Sequence, residues 1–388
     1  MPRTNLRDVY VTGVALTKFG KRPDMGLVEL AVDAGLAALK DAAQENLKVD
    51  AVYVGNAASG QFCGMENLGP IVAERLGLLP CETQRIEATT ASGSCAVKEA
   101  YREIAGGFLD TVLVVGAEKM THLPTEDATK VLASSMTHPT GETVHGASMP
   151  SLAAMFTRRY LEKFNLSTKH LALVAVKNHA NALLNPYAQF QKKITIEDAL
   201  SSPIVAEPLR VTDCAPMTDG AAAVLLQAKP TSRVPVRIRG VGHSTDRQMF
   251  YQRSEEFAIP ALKDAARKAF QSAQLTPSDI DVAELHDAFT VLEIVESEDV
   301  GFFPKGEGAK ALEDGVTQIG GRLPINTGGG LKARGHPLGA TGVAQIVEMT
   351  WQLRGEAKQR QVADAKTALA CNFAGLGNSV VVTILDRS

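Results

Sequence analysis

What this chain of 388 residues has little of narrows its function first. It holds one tryptophan and 5% aromatic residues, too few for a platform on which nucleic-acid bases would stack. It also lacks an excess of charge: 40 Lys and Arg stand against 43 Asp and Glu, a formal net charge of -3. No global field is left to gather DNA, RNA or an anionic membrane surface. The five cysteines, Cys63, Cys81, Cys95, Cys214 and Cys371, form no CxxC pair and no clustered ligand spacing, which argues against a disulfide framework and an intrinsic zinc site. No run approaches the roughly 18 apolar residues of a membrane span. The start MPRTNLRDVYVTGV enters a strand pattern without the apolar stretch of a signal peptide. A cytoplasmic enzyme with no membrane span and no nucleic-acid partner is the expectation.

What is present is a large, ordered α/β pattern. At 45% apolar residues and this length, the chain exceeds what one hydrophobic core usually serves. Asp8 to Val14 reads as a strand, LVELAVDAGLAALKDAA (27–43) as an amphipathic helix, and VDAVYVGN (49–56) as a strand. TVLVVGA (111–117) is an apolar, β-branched run of the kind covered on both faces. From about 121 to 210 polar turns and helical stretches interrupt the alternation, an excursion over one face of the core. DGAAAVLL (219–226) returns to a strand, and KPTSR (229–233) reads as a linker. The order then repeats: VRIRGVG (236–242), a helix over 258–273, the strand-like IDVAELHDAF (280–289), and a closing NSVVVTIL (378–385). TASGSCAVKEAYREI and GHPLGATGVAQIVEM each lead a small-residue turn into a helix. The economical reading is a duplicated α/β chain, with halves 1–232 and 233–388. Helix N-termini meeting at the seam would favour a developing oxyanion.

Three motifs carry candidate chemistry. TTASGS (89–94) precedes a helix and reads on its own as a helix cap as readily as a ligand turn. HDAFT (286–290) puts His286 just beyond an apolar strand, a favoured place for site residues in α/β folds. GHPLGATG (335–342) sets His336 before a proline, with Gly339 and Gly342 permitting close approach of a ligand or another chain segment, and CNFAGLG (371–377) follows with Cys371 and Gly375. NAD binding is weakly supported, because GLG at 375–377 does not follow GxGxxG in a βαβ context.

Taken with NPYAQF (185–190) and DCAPMTDGAAAV (213–224), these motifs in this order span nearly the whole chain. The sequence resembles the thiolase superfamily, particularly the branch of sterol-carrier thiolases and archaeal and bacterial acetyl-CoA acetyltransferase-like proteins. The resemblance implies a duplicated thiolase fold of five αβαβα layers, a homodimer, and carbon-carbon bond formation or cleavage on an acyl-CoA. Coenzyme A would be substrate or product, with no tightly bound cofactor and no metal. It further implies that His336 activates a nucleophile, His286 helps form an oxyanion hole, and Cys371 serves as acid/base, with Gly339, Gly342 and Gly375 lining the coenzyme A site. A separate OB-fold zinc-ribbon protein is an implied partner. This chain lacks the CxxC pairs such a module needs, so any such metal would reside in that other polypeptide.

One position departs from the family pattern. Where the nucleophilic cysteine is expected, this chain has Thr90, whose hydroxyl is a poorer spontaneous nucleophile than a thiolate. Cys95, five residues on, is the alternate acyl carrier, but a helix would carry it about 7.5 Å farther along the axis. Two enzyme readings stay open: a β-ketoacyl-CoA acyltransferase, and a noncovalent retro-aldol lyase on a CoA thioester. A noncatalytic acyl-CoA-binding subunit is the third. Of the remaining features, His122, His138 and His145 read as loop or packing residues, with His145 a candidate for the acyl pocket. Lys119 and Lys332 read as solvated charges with a phosphate contact as the alternative, Tyr187 as an anchor between excursion and core, and Asp219 as a turn stabiliser.

Overall fold

The computed structural model describes residues 6–136, 141–231 and 234–388. The expected boundary at 232 and His138 lie outside the described residues. Nine strands join one sheet: β1 (Tyr10–Leu16), β2 (Ala51–Gly55), β3 (Glu82–Ile86), β4 (Thr111–Glu118), β5 (Gly220–Gln227), β6 (Val236–Thr245), β7 (Val282–Glu284), β8 (Thr367–Ala374) and β9 (Ser379–Arg387). Their spatial order is β3-β2-β4-β5-β1-β6-β9-β8-β7. Outward from the centre the first half reads first, fifth, fourth, second, third strand; the second half reads first, last, next-to-last, second. Pair directions match as well, with β2 parallel to β3 and β4, β7 parallel to β8, and the inner pairs antiparallel. The edge strand of the second half is reduced to a single parallel bridge, Ala283 to Ile325. Between the halves β1 and β6 share only the pairs Tyr10–Arg237 and Val11–Val236.

The strand period of two sorts side chains into layers. Val52, Val54, Leu113, Val115 and Leu225 face an outer core with α1 (Leu27–Asp41) and α2 (Leu68–Arg75). Tyr53, Val112, Val114, Ala368, Ala370 and Val381 face a central core filled by α3 (Ser92–Gly106) and α9 (Leu338–Arg354). Leu369, Cys371, Phe373, Val380 and Val382 face the far outer core. Helix, sheet, helix, sheet, helix is the resulting αβαβα stack.

The excursion leaves between β4 and β5 as α4 (Thr125–Ser134), α5 (Met149–Lys163) and α6 (Thr168–Leu183). It crosses to the other half: Leu152, Phe156, Tyr160, Leu171 and Val174 pack with Leu262 and Ala265 of α7 (Pro260–Ala273) and Leu292 and Val295 of α8 (Thr290–Asp299). Tyr187, after α6, stacks on Trp351 of α9 with ring centroids 5.4 Å apart.

Candidate active site

Three connections meet at one cavity of about 590 Å³: the turn 89–90 entering α3, the turn 286–289 between β7 and α8, and 336–338 entering α9. Phe62, Met120, Val131, Leu132, Met149, Met217, Phe289 and Leu338 supply its apolar wall, and Thr90, Cys214, His286 and His336 supply polar atoms. Such a mix, mostly apolar with a few convergent polar groups, is the ordinary make-up of a small-molecule site. Arg85 stands at the wall, 2.6 Å from Glu66.

The two histidine rings lie edge to face, 5.1 Å apart. His336 Nδ1 is 2.7 Å from Thr341 Oγ1, whose own proton goes to Pro337 O at 3.0 Å. Nδ1 therefore donates, and Nε2 holds a lone pair. At His286 the arrangement is reversed. Ser94 Oγ donates to Asn372 Oδ1 at 2.7 Å, and Asn372 Nδ2 donates to His286 Nδ1 at 2.8 Å. Its Nε2 consequently carries the proton, a tautomer assigned from the hydrogen-bond network. Burial, then His336 and Arg334, hold His286 well below the usual imidazole range, and burial with Arg334 pushes His336 down to about 3. Both rings are neutral at neutral pH; one offers an N–H and the other a base.

A buried polar layer holds these loops. His286 N donates to Glu296 at 2.8 Å. Asp287 accepts from Leu331 N at 2.6 Å and from Asn178 Nδ2 at 2.7 Å, tying α6 to the turn that leads into His336. Arg334 and Glu284, both without solvent exposure, pair at 2.8 Å. Glu118 accepts from Ala57 N, Ala58 N, Asn56 Nδ2 and Gly339 N, joining a cavity loop of one half to the first turn of α9.

The structure brings His286, His336, Thr90 and Gly375 to the cavity wall and leaves other expected residues away from it. Thr90 follows Thr89, which holds a φ of 47°, a strained value for a β-branched residue. Its hydroxyl donates to Phe373 O at 2.5 Å. Cys95 packs in the central core, inside α3. Cys371, expected as the acid/base, lies away from this wall: on β8 its side chain faces the outer core with zero exposure. Burial and the adjacent Glu296 carboxylate push its thiol far up. Gly339 and Gly342, read as allowing close approach of a ligand or another chain segment, stand where another segment approaches. A Cβ at Gly339 would stand 2.6 Å from Asn56 Cα, and one at Gly342 2.4 Å from Ser94 N.

Lys119 and Lys332 are neither solvated nor free for phosphate. Lys119 pairs with Asp219 at 2.7 Å, and Lys332 Nζ donates to Cys214 O at 2.8 Å. Asp219 also accepts from Met120 N, Thr121 N and Arg22 N, closing its turn. His122 meets Phe62 O, and His145 is exposed away from the cavity wall. Sequence reasoning missed Asn372 and Cys214. The strand period offered a signal for the first, because neighbours of Cys371 on β8 must face the opposite way. Among the described residues no group of three His, Cys, Asp or Glu is placed to hold a metal ion, and no helix is long and apolar enough to cross a membrane.

A mirrored α/β pair with two central helices and a histidine pair at their seam defines a duplicated, five-layer α/β enzyme class. The chain belongs to the thiolase family: residues 9–230 match the thiolase N-terminal domain and residues 242–387 the thiolase C-terminal domain-like model. It is 43% identical to an acetyl-CoA acetyltransferase of Methanothermobacter thermautotrophicus, over 98% of this chain and 100% of that one. With human sterol carrier protein 2 it shares 35% identity over 98% of this chain and 72% of the relative. Among solved structures, the Ltp2-ChsH2(DUF35) aldolase superposes with a TM-score of 0.83 at 27% identity, covering 99% of this chain and 100% of that one.

Proposed function

We propose that this chain is an acyl-CoA C-acyltransferase that forms or cleaves the carbon-carbon bond of a β-ketoacyl-CoA, with coenzyme A as substrate or product. The observation that carries this reading is the pair of neutral histidines of opposite tautomer in one apolar cavity. His286 Nε2–H holds the thioester oxygen as enolate charge develops, and His336 Nε2 takes the proton of the attacking group. Family membership and the acetyltransferase relative support it.

A retro-aldol lyase on a CoA thioester is the second reading, favoured by the Thr90 hydroxyl, whose proton is engaged by Phe373 O, and by the likeness to an aldolase. In that reading His336 takes the proton of a β-hydroxyl and no acyl-enzyme forms. The proposal extends to halves 1–232 and 233–388 with a loop domain at 121–210, to a cytoplasmic homodimer, and to a separate OB-fold zinc-ribbon partner. The free edge of β3 supports dimer pairing, and the two-component name of the aldolase supports the partner.

Intact-protein mass spectrometry during turnover of β-ketoacyl-CoA and β-hydroxyacyl-CoA thioesters tests it. An acyl adduct that forms and decays fast enough for turnover is the expected result of acyl transfer. Turnover releasing an aldehyde or ketone without an adduct replaces it by the lyase.

A further inference from the structure

Of the five cysteines, all of them described, only Cys214 lines the cavity. The segment that carries it runs between both histidine loops. Cys214 forms a bridge with Phe289, and Ala215 N donates to Ala288 O at 2.9 Å, beside His286. Met217 forms a bridge with His336, whose own N–H donates to Thr218 Oγ1 at 2.9 Å. The same cavity receives two side chains that are at least nine-tenths buried and whose Nε2 atoms have no hydrogen-bond partner among the described residues, His286 at 1% exposure and His336 at 9%. Residues that carry a donor, a base and a thiol thus line one cavity. The buried ammonium of Lys332 fixes the Cys214 backbone through its carbonyl at 2.8 Å.

We propose that Cys214, rather than Cys371, is the catalytic acid/base that exchanges a proton with the α-carbon of the acyl-CoA. This inference rests on carbon-carbon chemistry at a CoA thioester and serves either reading of it. In cleavage the bond between Cα and Cβ breaks, and its electron pair passes into the enolate whose oxygen His286 holds. The Cys214 S–H bond breaks as a new Cα–H bond forms. His336 has meanwhile taken one proton from the attacking group or from a β-hydroxyl. That proton returns to the Cys214 thiolate, so the cycle closes without an oxidant or reductant. Burial and Asp213 push the Cys214 thiol up to about 12, against the lowering influence of Lys332, which keeps it protonated at rest as a donor requires.

The test uses the full chain, steady-state cleavage of a panel of β-ketoacyl-CoA and β-hydroxyacyl-CoA thioesters, and the variants Cys214→Ala, Cys214→Ser and Cys371→Ala. Cys214→Ala should lower kcat by roughly 100- to 10,000-fold with KM little changed, while Cys371→Ala stays near wild type. Wild-type turnover that survives in Cys214→Ala overturns the role of Cys214 and leaves the carbon-carbon reading standing. A wild type that binds these thioesters but cleaves none of them overturns both. Should the Cys214 variants lose their melting transition, the folded wild type is capped with methyl methanethiosulfonate and the capped residues are mapped. Loss of turnover that tracks capping of Cys214, slowed by bound acyl-CoA, supports the proposal; a Cys214-capped protein with full activity sinks it.

Discussion

Asn56 follows β2 and His286 follows β7, so the two stand in corresponding turns of the mirrored halves. Asn56 is wholly engaged by protein: its Nδ2 donates to Ala117 O and Glu118, and its Oδ1 accepts from Ser59 N. His286 receives one protein hydrogen bond on its ring and keeps Nε2 for the cavity. The helix starts differ in the same sense. Ahead of α3, Thr90 has its hydroxyl bound to Phe373 O; ahead of α9, His336 keeps a lone pair open. Duplication supplies two equivalent frames, and at these two pairs of corresponding positions the second half leaves ring atoms open to the cavity. The first half contributes shape through Phe62, Met120 and the excursion residues Val131, Leu132 and Met149, and a thiol through Cys214.

Substitutions can break that asymmetry. His336→Ala should lower kcat for thioester cleavage by about 100- to 10,000-fold, with the melting temperature close to wild type. Under the lyase reading Thr90→Ala should cost only a small fraction of that. An equal loss in both variants would place the acyl group on the Thr90 oxygen and make the two helix starts chemically equivalent.

Asn372→Asp sharpens the role of His286. A carboxylate there accepts from Nδ1–H, moves the ring proton off Nε2 and turns the oxyanion donor into an acceptor. Turnover should fall by about 100-fold or more, as for loss of one oxyanion-hole donor. Asn372→Ala, which leaves the tautomer free, should lose less. The two variants compared by kcat decide whether the proton on Nε2 matters.

How much of this was legible follows from which physical signal each residue carries. Strand and helix periods, and the repeat of their order, were readable because burial imposes them directly on side-chain type. His286 was readable as a motif residue beyond a strand, and His336 as one in a Gly-rich turn that leads into a helix. The place of Cys371 was not legible, because its motif position says nothing about which face of β8 it occupies, and the strand parity turns it into the outer core. At Gly339 and Gly342 a glycine reported close approach without saying of what, and the structure places another chain segment there. Cys214 was hidden because the 590 Å³ cavity is assembled from segments that only the crossing of the excursion brings together.

The helix crossing gives a prediction of intermediate size. Gly339→Ala would set a Cβ 2.6 Å from Gly55 O and Asn56 Cα, both backbone and unable to swing aside. Overpacking of this kind costs about 1–3 kcal/mol, so the melting temperature should fall by several degrees. The equivalent change on the other helix, Gly93→Ala, meets Gly339 O at 2.5 Å and should behave alike. Unequal losses would show that the seam belongs more to one half than to the other.

The smallest expected effect concerns Glu118, the carboxylate that ties the halves at the seam. Burial pushes it from its ordinary 4.5 to about 7, although the Ala57, Gly339 and Ala58 N–H groups pull the other way. Because the folded pKa is the higher one, the folded state binds more protons than the unfolded state between these values. Its contribution to stability is fully present below about 4.5 and lost as pH rises through about 7. Asp287, also raised to about 7 by burial, adds to the same slope in wild type and variant. Glu118→Gln removes one titration and keeps an acceptor oxygen for the loop. The fall in melting temperature from about pH 5 to about pH 8 should therefore be shallower in Glu118→Gln than in wild type. Parallel curves would mean that Glu118 keeps its charge in the folded state, and that its N–H donors outweigh burial in joining the two halves.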